Sequence, residues 1–169
     1  MLRNLTDILS EEGKVESLSV PYEAAFFQKD GVNCKVLSDE PIAFVFTNTA
    51  KGEARIEGKG SIRLQCRCDR CLKRVDIDVP VLIDENVREE NADRQTGDEQ
   101  PFWHDAKLDT ELLITNEILV NFPAKILCKE DCKGLCPNCG KDLNEGDCGC
   151  DTFVPDPRWA ALSNISLKQ

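Results

Sequence analysis

Ile62-Arg63-Leu64-Gln65-Cys66-Arg67-Cys68-Asp69-Arg70-Cys71-Leu72-Lys73-Arg74-Val75-Asp76-Ile77-Asp78-Val79-Pro80-Val81 consists of two alternating stretches hinged on a Cys-x-x-Cys. Successive side chains of a strand point to opposite faces. Ile62, Leu64, Cys66 and Cys68 therefore share one face, and Arg63, Gln65 and Arg67 the other. Past the cysteines, Val75, Ile77, Val79 and Val81 alternate with Asp76, Asp78 and Pro80, which predicts a half-buried return strand. Cys68 and Cys71 then sit at a hairpin tip, where Asp69-Arg70 makes the tight turn of a zinc knuckle. Cys66 reads as a small core residue.

Outward from this hairpin, the stretch from about Val15 to Val87 reads as successive strands. Val32, Cys34 and Val36 alternate, Ile42-Ala43-Phe44-Val45-Phe46 is rich in β-formers, and Glu53 to Cys68 follows the turn Lys51-Gly52. Short connections imply antiparallel pairing. Leu2, Leu5, Ile8 and Leu9 recur at helical spacing, which predicts an N-terminal amphipathic helix ending near Gly13 and covering one face of the sheet. Residues 85–101 carry too few apolar groups to pack and read as a mobile acidic loop. Asp109 is placed to cap a helix from Thr110 to about Asn121, which Pro123 stops, with Leu108 set to staple onto Leu113. That helix is too apolar for a surface position and is expected to cross the open sheet face. The expected fold is α+β, an antiparallel sheet covered by helices, with a cysteine-rich zinc-knuckle C-terminal segment. Its expected division is a body over 1–127 and a zinc segment over 128–169. A short helix closes the second part, capped by Asp156 and carrying Trp159, Leu162 and Ile165 at helical spacing.

Eight of the ten cysteines fall into close pairs: Cys68 with Cys71, Cys128 with Cys132, Cys136 with Cys139, and Cys148 with Cys150. Four pairs supply two tetrahedral thiolate sets, the donor environment zinc prefers. A disulfide scaffold would need an oxidising compartment. The N-terminus, with Asp7 early and no uninterrupted apolar run, does not resemble a secretory signal, so a cytoplasmic location is expected. A thioredoxin-like site would need a Cys-x-x-Cys opening a helix within a βαβ pattern, and neither pair of that spacing is so placed. Cys136-Pro137-Asn138-Cys139-Gly140 has the form of a knuckle that Cys148-Gly149-Cys150 closes, with Gly140 and Gly149 permitting positive φ. Cys68, Cys71, Cys128 and Cys132 form a split set that only tertiary structure can join, along the route Pro123 to Leu127. One or two zinc ions are expected. Cys34 and Cys66 remain outside the sets and are expected to be inert.

The chain of 169 residues has a formal net charge of −10, which disfavours uniform contact with nucleic acid. The charge is unevenly spread. Arg63, Arg67, Arg70, Lys73 and Arg74 surround the first knuckle against the single acid Asp69, whereas residues 75–112 are strongly acidic. These five basic residues are the candidate contact to RNA or a protein partner, with a solvated strand face as the plain alternative. Catalysis finds little support. His104 is the single histidine, four-thiolate sites leave no open position for water, and no phosphate-cradling loop or nucleophile elbow is present. No apolar stretch approaches the ~20 residues that span a bilayer.

Cys68-Asp69-Arg70-Cys71-Leu72, Asn121-Phe122-Pro123, the run from Cys132 through Cys136-Pro137-Asn138-Cys139 to Asn144, and Asp156-Pro157-Arg158-Trp159-Ala160-Ala161-Leu162 occur in that order. This ordered set resembles the YceD-like family, the large ribosomal RNA subunit accumulation proteins, over nearly the whole chain. Cys66 is an addition to that pattern. The resemblance implies a bacterial or plastid factor with no known catalytic chemistry, needed for accumulation or processing of large-subunit (23S) ribosomal RNA. Its implied partners are that RNA or a ribosomal or assembly protein, with no membrane and no small-molecule substrate. The competing reading is a zinc-ribbon adaptor or thiol sensor unrelated to ribosomes, in which Cys66 exchanges metal at Cys68 and Cys71 for a disulfide.

Overall fold

The computed structural model describes residues 2–38, 40–88 and 101–150. Its main sheet is antiparallel and six-stranded: β2 (Val15–Val20), β3 (Phe26–Lys29), β4 (Val32–Val36), β5 (Ile42–Ala50), β6 (Glu53–Arg67) and β7 (Arg74–Arg88). β1 (Leu2–Asn4), β8 (Trp103–His104) and β9 (Lys107–Asp109) form a second sheet in the order β1-β9-β8. Two helices, α1 (Thr6–Leu9) and α2 (Thr110–Asn121), complete the described elements.

β6 is the axis of the main sheet. One of its edges pairs with β7 without interruption from Glu53↔Arg88 to Arg67↔Arg74. The other is shared, with β5 alongside Glu53 to Lys59 and β4 alongside Leu64 and Gln65. The alternation read from the sequence holds along both long strands. Ala54, Ile56, Ile62, Leu64 and Cys66 of β6 are buried, as are Val79, Val81, Ile83 and Val87 of β7. Two glycines let neighbouring side chains cross this face. A Cβ at Gly60 would lie 2.5 Å from Ile42 Cδ1, and one at Gly58 would lie 2.9 Å from Ile83 Cδ1 and 3.2 Å from Phe44 Cε1. The outward face carries several polar pairs between the two strands. Arg55 forks onto Asp84 through two 2.8 Å bonds, Arg63 onto Asp78 at 2.7 and 3.1 Å, Gln65 donates to Asp76 at 3.0 Å, and Arg88 meets Glu53 at 3.1 Å.

α2 has the predicted bounds, and Asp109 caps it by accepting from the backbone N–H groups of Glu111 and Leu112, both at 3.2 Å. It packs against β7. Thr115 Oγ1 lies 3.0 Å from Tyr22 Oη, and Lys29 Nζ donates to Leu119 O at 3.0 Å, tying the helix to the β2–β3 side as well.

Three expectations are corrected. The N-terminal segment is not one helix from Leu2 to Leu9. Asn4 Oδ1 accepts from Thr6 N (2.9 Å) and Oγ1 (2.6 Å), stopping the chain in a local turn so that Leu2–Asn4 pairs with β9 and only Thr6–Leu9 is helical. Leu5, Ile8 and Leu9 are buried as the spacing implies, but Leu2 is exposed. The acidic loop does not begin at residue 85, because β7 continues through buried Val87 to Arg88; its remainder, 89–100, lies outside the described residues. Residues 101–109 then form the β8–β9 hairpin, with Asp105 (φ 50°) and Ala106 (φ 56°) both left-handed in its turn, and His104 stands in β8 opposite Lys107. Finally, Cys34 and Cys66 are buried but not inert singletons. Extending the Lys35↔Gln65 register puts them face to face across β4 and β6, and they form a disulfide with a Cα–Cα distance of 4.4 Å. The predicted C-terminal helix with Trp159 lies outside the described residues.

Candidate metal centres and the basic face beside them

The first knuckle continues the inward face of β6. Cys68, fully buried, follows Arg67 in the same alternation. Cys68 N donates to Lys73 O (2.8 Å) and Leu72 N to Cys68 O (3.0 Å), closing the tip, with Leu72 left-handed at φ 61°. The segment after α2 reaches this tip through Asp69. Asp69 N donates to Ile126 O at 2.8 Å, and Ile126 N donates to Asp69 Oδ2 at 2.7 Å. Two residues on, Cys128 N donates to Cys68 Sγ at 3.4 Å.

The split set is thereby assembled. The Sγ atoms of Cys68, Cys71, Cys128 and Cys132 all lie within 4.8 Å of one another, and so do those of Cys136, Cys139, Cys148 and Cys150. Both groups can hold a metal ion. Tetrahedral thiolate sites with metal–sulfur bonds near ~2.3 Å have edges of about 3.8 Å. Cys68–Cys132 measures 3.8 Å and Cys71–Cys128 3.5 Å, so these two edges of the first group are close to those dimensions, and the others lie within 4.8 Å.

The electrostatics fit a cation. Burial pushes the Cys68 thiol up, but the backbone N–H groups of Cys71, Arg70 and Cys128 outweigh it and bring it down to about 6. Cys136 is lowered to about 6, chiefly by the N–H groups of Cys139 and Asn138. Their neighbours go the other way. The Cys128 thiol, facing Cys71, is pushed up to about 12, and Cys150, facing Cys139 and Cys148, also to about 12. Four adjacent sulfurs cannot all carry negative charge unaided; a bound dication supplies the compensation and displaces the remaining protons.

In the C-terminal group, Cys136 N donates to Lys141 O (2.8 Å) and Gly140 N to Cys136 O (2.9 Å), and an isolated bridge pairs Leu135 with Asp142. Gly140 and Gly149 have φ of 73° and 70°, the freedom expected of them. Among the described residues, and apart from the chain neighbours, no heavy atom lies within 4 Å of a Cβ built at either, so the requirement is the backbone angle rather than space.

The five basic residues do not act alike. Arg63 is held by Asp78. Arg70 Nη1 donates to Cys132 O at 2.7 Å, and Lys73 Nζ meets Asp142 at 2.7 Å and Glu145 at 3.0 Å. Arg67 and Arg74 are exposed and directly opposite each other in the ladder, and no described residue pairs with either. Sequence reasoning placed Asp69 in the knuckle turn and Asp142 and Asn144 in the cysteine-rich run, but it did not find the long-range contacts of these residues or of Glu145, which no local pattern marks.

A protein-family model described as the large ribosomal RNA subunit accumulation protein YceD matches residues 56–166. The chain belongs to the YceD family. Within this YceD match lie most of the β6–β7 hairpin, α2 and all eight clustered cysteines. Among curated proteins, the chain is 34% identical over 98 residues to uncharacterised proteins of Mycobacterium bovis and Mycobacterium tuberculosis, covering 56% of this chain and 47% of each relative. An uncharacterised protein of Mycobacterium leprae is 31% identical over 101 residues, covering 58% of this chain and 46% of its own. The chain thus spans about half the length of these relatives. No solved structure matches. No helix among the described residues is long and apolar enough to cross a membrane.

Proposed function

We propose that this YceD-family chain is a non-catalytic, cytoplasmic ribosome-biogenesis factor supporting accumulation or processing of large-subunit ribosomal RNA. In this reading zinc fills both cysteine sets, and the chain divides into a sheet-and-helix body over 1–127 and a zinc segment over 128–169. The contact face lies around the first knuckle, among Arg63, Arg67, Arg70, Lys73 and Arg74. One observation carries it. The outward ladder of β6–β7 sets like charges opposite each other twice: Glu57 faces Asp84, where Arg55 pairs with both acids, and Arg67 faces Arg74 at the knuckle, where no described residue supplies a counter-charge. Like charges directly opposite are destabilising in a sheet, and a phosphodiester oxygen between two guanidiniums removes that cost. Exposed Leu72 stands at the same tip. Arg70 and Lys73 shape this face through their internal contacts, leaving Arg67 and Arg74 to meet the partner.

Crosslinking in cells followed by identification of the bound RNA tests the reading, together with depletion. Enrichment of large-subunit ribosomal RNA and its loss on depletion are expected; unchanged levels of that RNA after depletion would refute the ribosomal role. The thiol-sensor alternative loses its key residue, because Cys66 is bonded to Cys34 rather than placed to exchange with Cys68 or Cys71.

A further inference from the structure

Asn144 belongs by sequence to the C-terminal cysteine loop, between Cys139 and Cys148, but its side chain serves the other centre. Its Nδ2 donates to Cys132 Sγ at 3.4 Å, and its Oδ1 accepts from Lys133 N at 2.9 Å. Asp142 Oδ1 fixes the amide, accepting from Asn144 N at 2.8 Å and Nδ2 at 2.7 Å. Asp142 and Glu145 both meet Lys73, two residues past Cys71. Leu143 N donates to Gly134 O (2.9 Å) and Leu135 N to Arg70 O (3.2 Å). Gly134 is left-handed at φ 77°, and a Cβ there would lie 3.0 Å from Arg70 O. The loop 137–150 contributes no residue to either buried apolar cluster. Lacking an apolar core, it is held by these polar contacts, and an ion bound by its own four cysteines would add the largest single constraint on it.

Taking both cysteine sets as zinc sites, we propose that Asn144 is a positioning residue that couples the two centres: metal at the C-terminal set orders the loop that places the Asn144 amide on Cys132, and so raises the affinity of the split set. An N–H donor to a coordinated thiolate offsets part of its charge and fixes its orientation, and loss of such an outer partner typically costs about 10–100-fold in metal affinity. The coupling is reciprocal, so metal at the split set tightens the C-terminal set by the same factor.

The test uses the full chain and competition against a zinc chelator. Cys148→Ser/Cys150→Ser should reduce content to one zinc and weaken that remaining ion about 10–100-fold relative to the tighter wild-type value for the split set. Asn144→Ala should keep two ions but weaken the split set by a similar factor, and in the cobalt-substituted protein it should shift the thiolate-to-metal charge-transfer band. Asn144→Gln, which retains an amide donor, should recover part of the loss. Affinity of the split set unchanged within about twofold in both the double variant and Asn144→Ala would overturn the coupling while leaving the zinc reading intact. Wild-type protein without metal after zinc-replete expression would instead sink the zinc reading, and the coupling with it. Loss of both ions in Asn144→Ala, with no recovery by Asn144→Gln, would show Asn144 to be structural and also overturn the proposal.

Discussion

Asp69 and Ile126 grip each other through two hydrogen bonds, one from each backbone N–H, at 2.8 and 2.7 Å. This clasp joins the hairpin tip to the segment that follows α2, and it is what brings Cys128 and Cys132 to Cys68 and Cys71. The first prediction follows from it. Asp69→Ala keeps one of the two bonds but leaves Ile126 N unpaired, at a cost of about 1–3 kcal/mol for a buried donor. Zinc content should fall from two ions toward one, read by elemental analysis, with the C-terminal set retained. Two ions at full affinity in this variant would show that the clasp does not assemble the site.

Arg67→Glu with Arg74→Glu should weaken association with precursor large-subunit RNA or its complex and flatten the dependence of binding on salt, since fewer counterions are released. The double reversal Lys51→Glu with Lys107→Glu, away from the knuckle, should do much less. Equal loss in the two proteins would point to net charge alone. Circular dichroism should show both folded, because the exchange replaces one exposed like-charged pair with another and removes no internal contact.

Cys34 and Cys66 should be recovered as a linked peptide under non-reducing digestion. Replacing both with alanine should lower unfolding free energy by about 2–4 kcal/mol and leave zinc content unchanged, since neither sulfur belongs to a metal set. A fall in bound zinc would mean that the β4–β6 link positions Cys68.

The Asp142 carboxyl is held down to about 2 by its hydrogen bond and ion pair with Lys73. A carboxyl whose folded pKa lies below its unfolded value adds stability above about pH 4 and loses that contribution as pH falls toward about 2. Side-chain NMR near pH 4 should therefore find Asp142 ionised in the folded protein. In Lys73→Met its midpoint should return toward the usual carboxylate range; an unchanged midpoint would remove Lys73 as the cause.

Local pattern carried the hairpin, α2 and its Asp109 cap, because alternation and capping are decided within a few residues. It also found both cysteine sets. The paired spacing of each half was visible, although the joining of Cys68-x-x-Cys71 to Cys128 and Cys132 rests on the distant Asp69–Ile126 clasp. The Cys34–Cys66 bond was hidden for a related reason. β4 pairs with β6 across the intervening β5, so facing positions cannot be read from order along the chain. The β1-β9-β8 sheet was missed because its turn uses Asp105-Ala106, lacking the glycine that usually announces two left-handed residues. Arg70 and Lys73 looked like free charges, and only the fold shows them spent on Cys132, Asp142 and Glu145.

The uninterrupted pairing of β6 with β7 runs 15 residues on each strand, about 45–50 Å at ~3.3 Å per residue. The hairpin is thus a continuous span between two otherwise distant places. Cys68 and Cys71 stand at one end. At the other stands the Glu53–Arg88 bridge, and the bond from Trp103 Nε1 to Arg88 O, 2.8 Å, joins the span to the β8–β9 hairpin and, through β9, to the start of α2.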